Sequence, residues 1–383
     1  MQGYIEIKRM HMNQLLFLGD FTTEERGVHA IKDGVAVDEK IVKQIQSADY
    51  SIINLEAPII DVPDNPIRKV GPNLHSPSSA LDYLSHIGIK GVTLANNHFY
   101  DYGFNGVAST IDALLSRGFD YVGGGRNPEE REKILYISLP EAKVGILNYC
   151  EHEFSIQDSF ASNPLNPIKL FYDVKQAKKC ADLVICIVHG GHEGYHLPSP
   201  RMQELYRYMV DSGVSIVINH HQHCYSGFEE YNNGYIYYGL GNFYFDSKHD
   251  RDRLWTEGYY IAVNLDKKKI SSIELFPYRQ CCEDNAIVEL MNDKELTDFN
   301  SNLEFLNTII NDKKALGASF ENYCSKKKKN YLVALSPYTN RILQALAKRH
   351  LIPDFITKKR KMKMYNYVRC ESHRDLLEFA LKQ

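Results

Sequence analysis

The sequence predicts an α/β fold with substantially parallel strand pairing. Five short apolar runs, rich in Val, Ile and Leu, each stop abruptly at polar residues. Strands buried on both faces of a sheet read this way. Helical segments closed by glycine alternate with those runs, which argues parallel pairing through crossover helices.

In chain order, "QLLFLGD" ends at Asp20, "SIINLE" at Glu56 and "GVTLANNH" at Asn97 and His98. "DLVICIVH" then ends at His189, and "VSIVINHHQH" at His220, His221 and His223. Between them, "SSALDYLSHIG" places Leu81, Leu84 and Ile87 on one helical face before Gly88. "VASTIDALLSRG" does the same with Ile111, Leu114 and Leu115 before Gly118. In "SPRMQELYRYMVDSG", Ser199 can cap and Pro200 suits the first turn. Met202, Leu205, Tyr206, Met209 and Val210 form its apolar stripe, and Gly213 ends it. Beyond residue 220, "EEYNNGYIYYGLGNFYFD" has a hairpin-like Asn-Asn-Gly, and two antiparallel strands follow around "DKKK". From Cys281 the chain turns helical and charged, with helices expected over "DKELTDFNSNLEFLNTIIND", "SPYTNRILQALAKRHL" and "RDLLEFALKQ". The expected division is therefore a domain over 1–280 and a helical, basic accessory region over 281–383.

The 383 residues carry 44% hydrophobic and 24% charged side chains, as globular chains do. The formal charge of −3 points to no polyanionic partner for the whole molecule and argues against nucleic acid. Its distribution is uneven. From Glu321 to Gln383 there are 15 Lys and Arg against 5 Asp and Glu, so a basic appendage follows an acidic body. "SKKKKN" and "TKKRKMKM" suit either an anionic partner or a solvated helix face. No run approaches the ~18 apolar residues of a membrane span, and "LLFL" is too short for a signal core. Met12, just before the first strand, is a candidate start. The eight cysteines include no CxxC pair and read as reduced thiols, so a cytoplasmic protein is expected.

Ligands bind outside the carboxyl ends of strands in such sheets. Here those ends offer Asp, Glu, Asn and His, an oxygen and nitrogen set without thiolates. It suits one or two divalent ions, with Mn, Zn, Fe and Mg all open. Two ions a few ångströms apart can clamp a phosphoester, and a histidine that binds no metal can protonate the leaving group. Asn97 reads as a ligand and His98 as the acid or a phosphate binder. Glu193, Tyr195 and His196 read either as pocket lining or as an exposed loop. "GGGRNPEE" reads either as a glycine turn or as an anion cradle.

The motifs "FLGDF", "NLEAPI", "LANNHFYDYG", "VHGGHEGYHLPSPRMQ" and "NHHQHCYSGFEEYNNGYIYYGLGNFYFD", in that order, resemble the CapA family of poly-γ-glutamate capsule synthesis. That family is a branch of the calcineurin-like metallophosphoesterases, and the resemblance covers roughly residues 13 to 265. It implies a sandwich of mixed β-sheets flanked by helices, here with a helical C-terminal region. It also implies metal ligands at Asp20, Glu56 (the bridging carboxylate), Asn97, His189, His221 and His223, with His98 catalytic. Asn96, Asp101, Glu193, Tyr195, His220 and Asn242 are the expected substrate-binding positions.

The first motif departs from the pattern, because Thr22 stands where the superfamily has a histidine. The usual GHHPH reads Asn219-His-His-Gln-His223, and HWG reads His189-Gly-Gly191. The expectation is a metal-dependent, phosphoesterase-like hydrolase linked to capsule or envelope polymer synthesis. Its substrate would be a small molecule or an anionic polymer. A non-catalytic metal-binding scaffold, docked to envelope-assembly proteins through the basic region, stays open as the alternative.

Overall fold

Alternating burial along the first strands decides the layering. Successive strand residues point to opposite faces, so Leu15 and Phe17 join one core cluster while Leu16 and Leu18 join another. Ile52 and Ile53 split in the same way. In the computed structural model of the chain, the described residues are 13–24, 26–247, 252–283, 285–338, 340–353, 357–369, 373, 377 and 381. Met12 lies outside them, as does most of "RDLLEFALKQ".

The strands in chain order are β1 (Asn13–Phe21), β2 (Tyr50–Leu55), β3 (Gly91–Thr93), β4 (Asp120–Val122), β5 (Gly124–Gly125) and β6 (Leu135–Ser138). There follow β7 (Lys143–Cys150), β8 (Ala161–Ser162), β9 (Leu183–His189), β10 (Ile216–His220), β11 (Phe228–Tyr231) and β12 (Gly234–Tyr237). The last are β13 (Asn242–Tyr244), β14 (Glu257–Asp266), β15 (Lys269–Gln280) and β16 (Val288–Leu290). One mixed sheet runs β16-β15-β14-β1-β2-β3-β4, with β13 also paired to β1. The other runs β11-β12-β10-β9-β7-β6. Parallel pairing holds at the centre of each, from β1 to β4 and from β7 through β9 and β10 to β12.

Leu15, Phe17 and Ile52 of the first sheet share a core with Val144, Ile146, Ile185, Ile187, Ile216 and Ile218 of the second. The outer face of the first sheet packs Leu16, Leu18 and Ile53 against Ile41, Ile45, Leu81, Leu84, Ile111 and Leu114 of three helices. Leu170, Val174, Met202, Tyr206 and Met209 come from helices that join the core of the second sheet. Ser199 caps its helix as expected, accepting from the Met202 N–H. Leu115, expected to face inward, is 54% exposed, because Thr110, Ile111 and Leu114 already fill the buried stripe. "GGGRNPEE" forms the short β5 and a helix capped by Asn127. The seven described cysteines are free thiols, and no helix among the described residues is long and apolar enough to cross a membrane.

The chain divides into two compact units after Leu316 rather than near residue 280. The helix Asp293–Asn311 explains the difference, since it buries Phe299, Leu303, Leu306 and Ile310 in the core of the first unit. Within the second unit, Gly317–Gln383, the described helices are the remainder of Lys313–Ala334, then Arg341–Lys348 and Lys358–Arg369. Lys358–Arg369 and the long Lys313–Ala334 have no counterpart in the periodicity, because both are rich in charge and weakly amphipathic.

Candidate metal centre

The carboxyl ends of both central parallel sets carry the expected polar tips. Asp20 sits near the end of β1, Glu56 directly after β2, and Asn96 to His98 three residues past β3. His189 closes β9 and pairs in register with His220, the last residue of β10. The next turn sets His221 at φ 87° and His223 at φ 55°. Left-handed backbone costs a non-glycine residue about 1–2 kcal/mol. The fold bears that cost at two histidines in one turn, as functional sites do. Asp20 is positioned by a close crossing in which a Cβ on Gly19 would lie 2.0 Å from the Gly241 carbonyl oxygen. That approach brings Asp20 level with Asn242 of β13.

Glu56, His189 and His221 each place one ligand atom within 4.8 Å of the others, and so do Asp20, Glu56 and His223. Glu56 belongs to both groups. His189 Nε2 faces Asn97 Oδ1 at 3.0 Å, His221 Nδ1 at 3.1 Å and Glu56 Oε1 at 3.5 Å. On the other side His223 Nε2 lies 3.5 Å from Glu56 Oε1, and its Nδ1 lies 3.7 Å from Asp20 Oδ2. All six residues are buried.

A cation fits this set. Glu56 is fully buried, yet neither carboxylate oxygen accepts a hydrogen bond. Buried polar groups are nearly always paired, so an orphaned carboxylate between imidazoles marks a place for a positive charge. Burial, then the charge of Asp20, pushes the Glu56 carboxyl well above its usual range. Burial, then His221, holds His189 well below the ordinary imidazole value, and burial with His223 also lowers His221. Neutral imidazoles have the lone pairs a metal needs. Burial alone would raise Asp20, but the pull of His220 takes it below the usual carboxylate range.

The expected substrate-binding residues Asn96, Asn242, His220 and Asp101 lie among the expected ligands and His98, and three of them make hydrogen bonds there. Asn96 is fully buried, donates to the Leu55 carbonyl at 2.8 Å and accepts from the His98 N–H at 3.1 Å, so it pins the loop. Asn242 donates to the His223 and Trp255 carbonyls, which leaves Oδ1 to accept from His223 Nδ1 at 2.9 Å. That fixes the tautomer and frees Nε2. His220 Nδ1 lies 3.1 Å from Asp20 Oδ1 but makes no aligned hydrogen bond. Asp101 orients His98, with Oδ2 2.7 Å from His98 Nδ1. Burial lowers the His98 pKa although Asp101 opposes the shift. Glu193 lines a cavity of about 220 Å³ beside His223, together with Asp252, Leu254 and Trp255. Tyr195 is not among the residues lining that cavity, and its carbonyl accepts from Gln222 Nε2 at 2.7 Å.

Sequence reasoning missed two residues. Asn54 Nδ2 donates to Asp20 Oδ1 at 2.7 Å and faces His189 Nδ1 at 3.3 Å. Its position two residues before Glu56, on the same strand face, was the available signal. The Lys69 side chain is enclosed, pairs with Asp101 and places Nζ 3.1 Å from His98 Nδ1, while the residue as a whole is half-buried. It comes from an irregular loop, where no periodicity reports it. Thr22 faces Ser76, with its hydroxyl 3.3 Å from Ser76 Oγ.

The family model described as bacterial capsule synthesis protein PGA_cap matches residues 14–247, more than half of the chain. The chain belongs to this family. Within the family comparison, it is similar to the capsule biosynthesis protein CapA of Bacillus anthracis, at 32% identity over 212 residues, 53% of this chain and 52% of that one. It is also similar to the PGA biosynthesis protein CapA of Bacillus subtilis, at 27% identity over 263 residues, 67% of this chain and 66% of that one. The chain thus spans about half to two thirds of the length of these curated relatives. Among solved structures, a phosphatase from Mycoplasma pneumoniae matches with a TM-score of 0.47 and 17% identity, over 77% of this chain and 99% of that one.

Proposed function

We propose that this PGA_cap member is a metal-dependent hydrolase of phosphoesters that serves capsule or envelope polymer synthesis. The observation that supports it most is the orphaned, fully buried Glu56 carboxylate shared by two ligand clusters. Glu56, Asn97, His189 and His221 would hold one divalent ion, and Asp20, Glu56 and His223 a second. Such ions supply Lewis-acid polarisation of a phosphoryl group and acidify water. In its imidazolium form, which the Asp101 carboxylate favours against the effect of burial, His98 would give its Nε2 proton to the leaving-group oxygen while Nδ1–H stays donated to Asp101. Lys69 pairs with the other carboxylate oxygen of Asp101. Asn242 keeps His223 in the tautomer that offers Nε2.

The substrate is a small molecule or a segment of anionic polymer carrying a phosphoester. A second reading, a non-catalytic metal-binding scaffold in envelope assembly, is favoured by Thr22, since the Asp20–Glu56–His223 cluster has no fourth ligand from the first motif. Turnover of a phosphodiester panel by the Mn-loaded protein and by His98→Ala separates the two. Turnover that His98→Ala abolishes while metal content stays constant supports the hydrolase. No turnover on any ester, with full metal content, leaves the scaffold.

A further inference from the structure

We infer that the C-terminal unit, Gly317–Gln383, is a docking surface for an anionic lipid membrane. The first observation is charge. The helix Lys358–Arg369 carries six basic residues and no acidic one. Lys326 to Lys329 form a second, exposed basic run on the helix Lys313–Ala334.

The second observation is apolar exposure within the same unit. Met362, Tyr365 and Val368 are 72%, 65% and 63% exposed. Spaced by three residues, they are neighbours along one side of the basic helix. Ile342 is 69% exposed on the helix Arg341–Lys348, which buries none of its residues.

The combination selects the partner. A soluble polyanion, whether nucleic acid or polyglutamate, is held by the lysines and arginines alone and gains nothing from exposed Met, Val and Ile. A bilayer interface takes both. Its anionic headgroups attract the basic side chains, and the boundary beneath them accepts aliphatic and tyrosine side chains. This surface does not depend on the hydrolase reading, because it involves none of the metal-centre residues.

The test is co-sedimentation of the full chain with vesicles of phosphatidylcholine alone and with vesicles containing one quarter phosphatidylglycerol, at moderate salt. The expected result is at least about tenfold stronger partitioning onto the anionic vesicles, from the additive attraction of several basic residues. The quadruple variant Lys358→Glu, Lys359→Glu, Arg360→Glu, Lys361→Glu should remove that preference. The double variant Met362→Asp, Val368→Asp should weaken binding to anionic vesicles about fivefold or more. Equal binding to both vesicle types would overturn the proposal. So would a basic-residue dependence that the apolar variant leaves untouched, accompanied by equal capture of soluble poly-γ-glutamate. That outcome would assign the surface to a polyanion.

Discussion

Replacing Glu56 by Gln tests the carboxylate on which both clusters depend. The substitution keeps shape and removes charge. In chelator, the wild-type protein must fold around a buried carboxyl that accepts no hydrogen bond and whose pKa burial raises well above its ordinary 4.5. A raised folded-state pKa means that the native state keeps a proton the unfolded state releases. The stability it contributes is present below the ordinary carboxylate value and is lost as pH rises. At pH 8 an uncompensated buried charge costs on the order of 3 kcal/mol. Glu56→Gln should then be the more stable protein in chelator, by roughly 5 °C in Tm, with the gap closing toward pH 4.5. Metal should reverse the order. At one hundred times its Kd, a ligand stabilises the folded state by about 2.7 kcal/mol, and the variant should forgo most of that. The assay is thermal unfolding by circular dichroism with chelator and with Mn or Zn, from pH 5 to 8. Wild-type protein that is the more stable in chelator at pH 8, or equal metal responses in the two proteins, would mean that Glu56 is neither a buried cost nor a ligand.

Three further outcomes are expected. His98→Ala should lower kcat on any ester substrate by about 10²–10⁴-fold, the usual worth of a general acid, with metal content unchanged by elemental analysis. Asn242→Ala should weaken metal binding about 10–100-fold in a competition titration, since second-sphere partners of histidine ligands carry that much, and it should leave His98 chemistry intact at saturating metal. Phe299→Ala should destabilise the first unit by about 3–5 kcal/mol in urea unfolding, because its fully buried ring lies 4.4 Å from that of Tyr225.

Much of this centre was legible because the strands are short and buried on both faces. A charged or amide residue at the end of such a run has few places to go, so the recurrence of such tips at Asp20, Glu56, Asn97, His189, His221 and His223 drew attention to them together, and the family resemblance supplied their expected roles. Their convergence depends on two sheets meeting, which no single run encodes. Neighbouring residues were harder to separate. Nothing in "LANNH" tells Asn96, which braces backbone, from Asn97, which faces His189. The pairing of Asp101 with Lys69 was not legible, because Lys69 lies 32 residues away, in a loop without a pattern. The expected boundary near residue 280 and the division after Leu316 differ for a related reason. The stripe of Phe299, Leu303, Leu306 and Ile310 shows that a helix exists, but not which core receives it.

The most direct test of the central claim is metal content per chain, by elemental mass spectrometry, after loading with Mn and removal of excess. Two equivalents are expected in the wild-type protein, one in His223→Ala, where the Asp20–Glu56–His223 cluster is broken, and none in His221→Ala, His223→Ala. No stoichiometric metal in the wild-type protein, or a content that both variants leave unchanged, would contradict it.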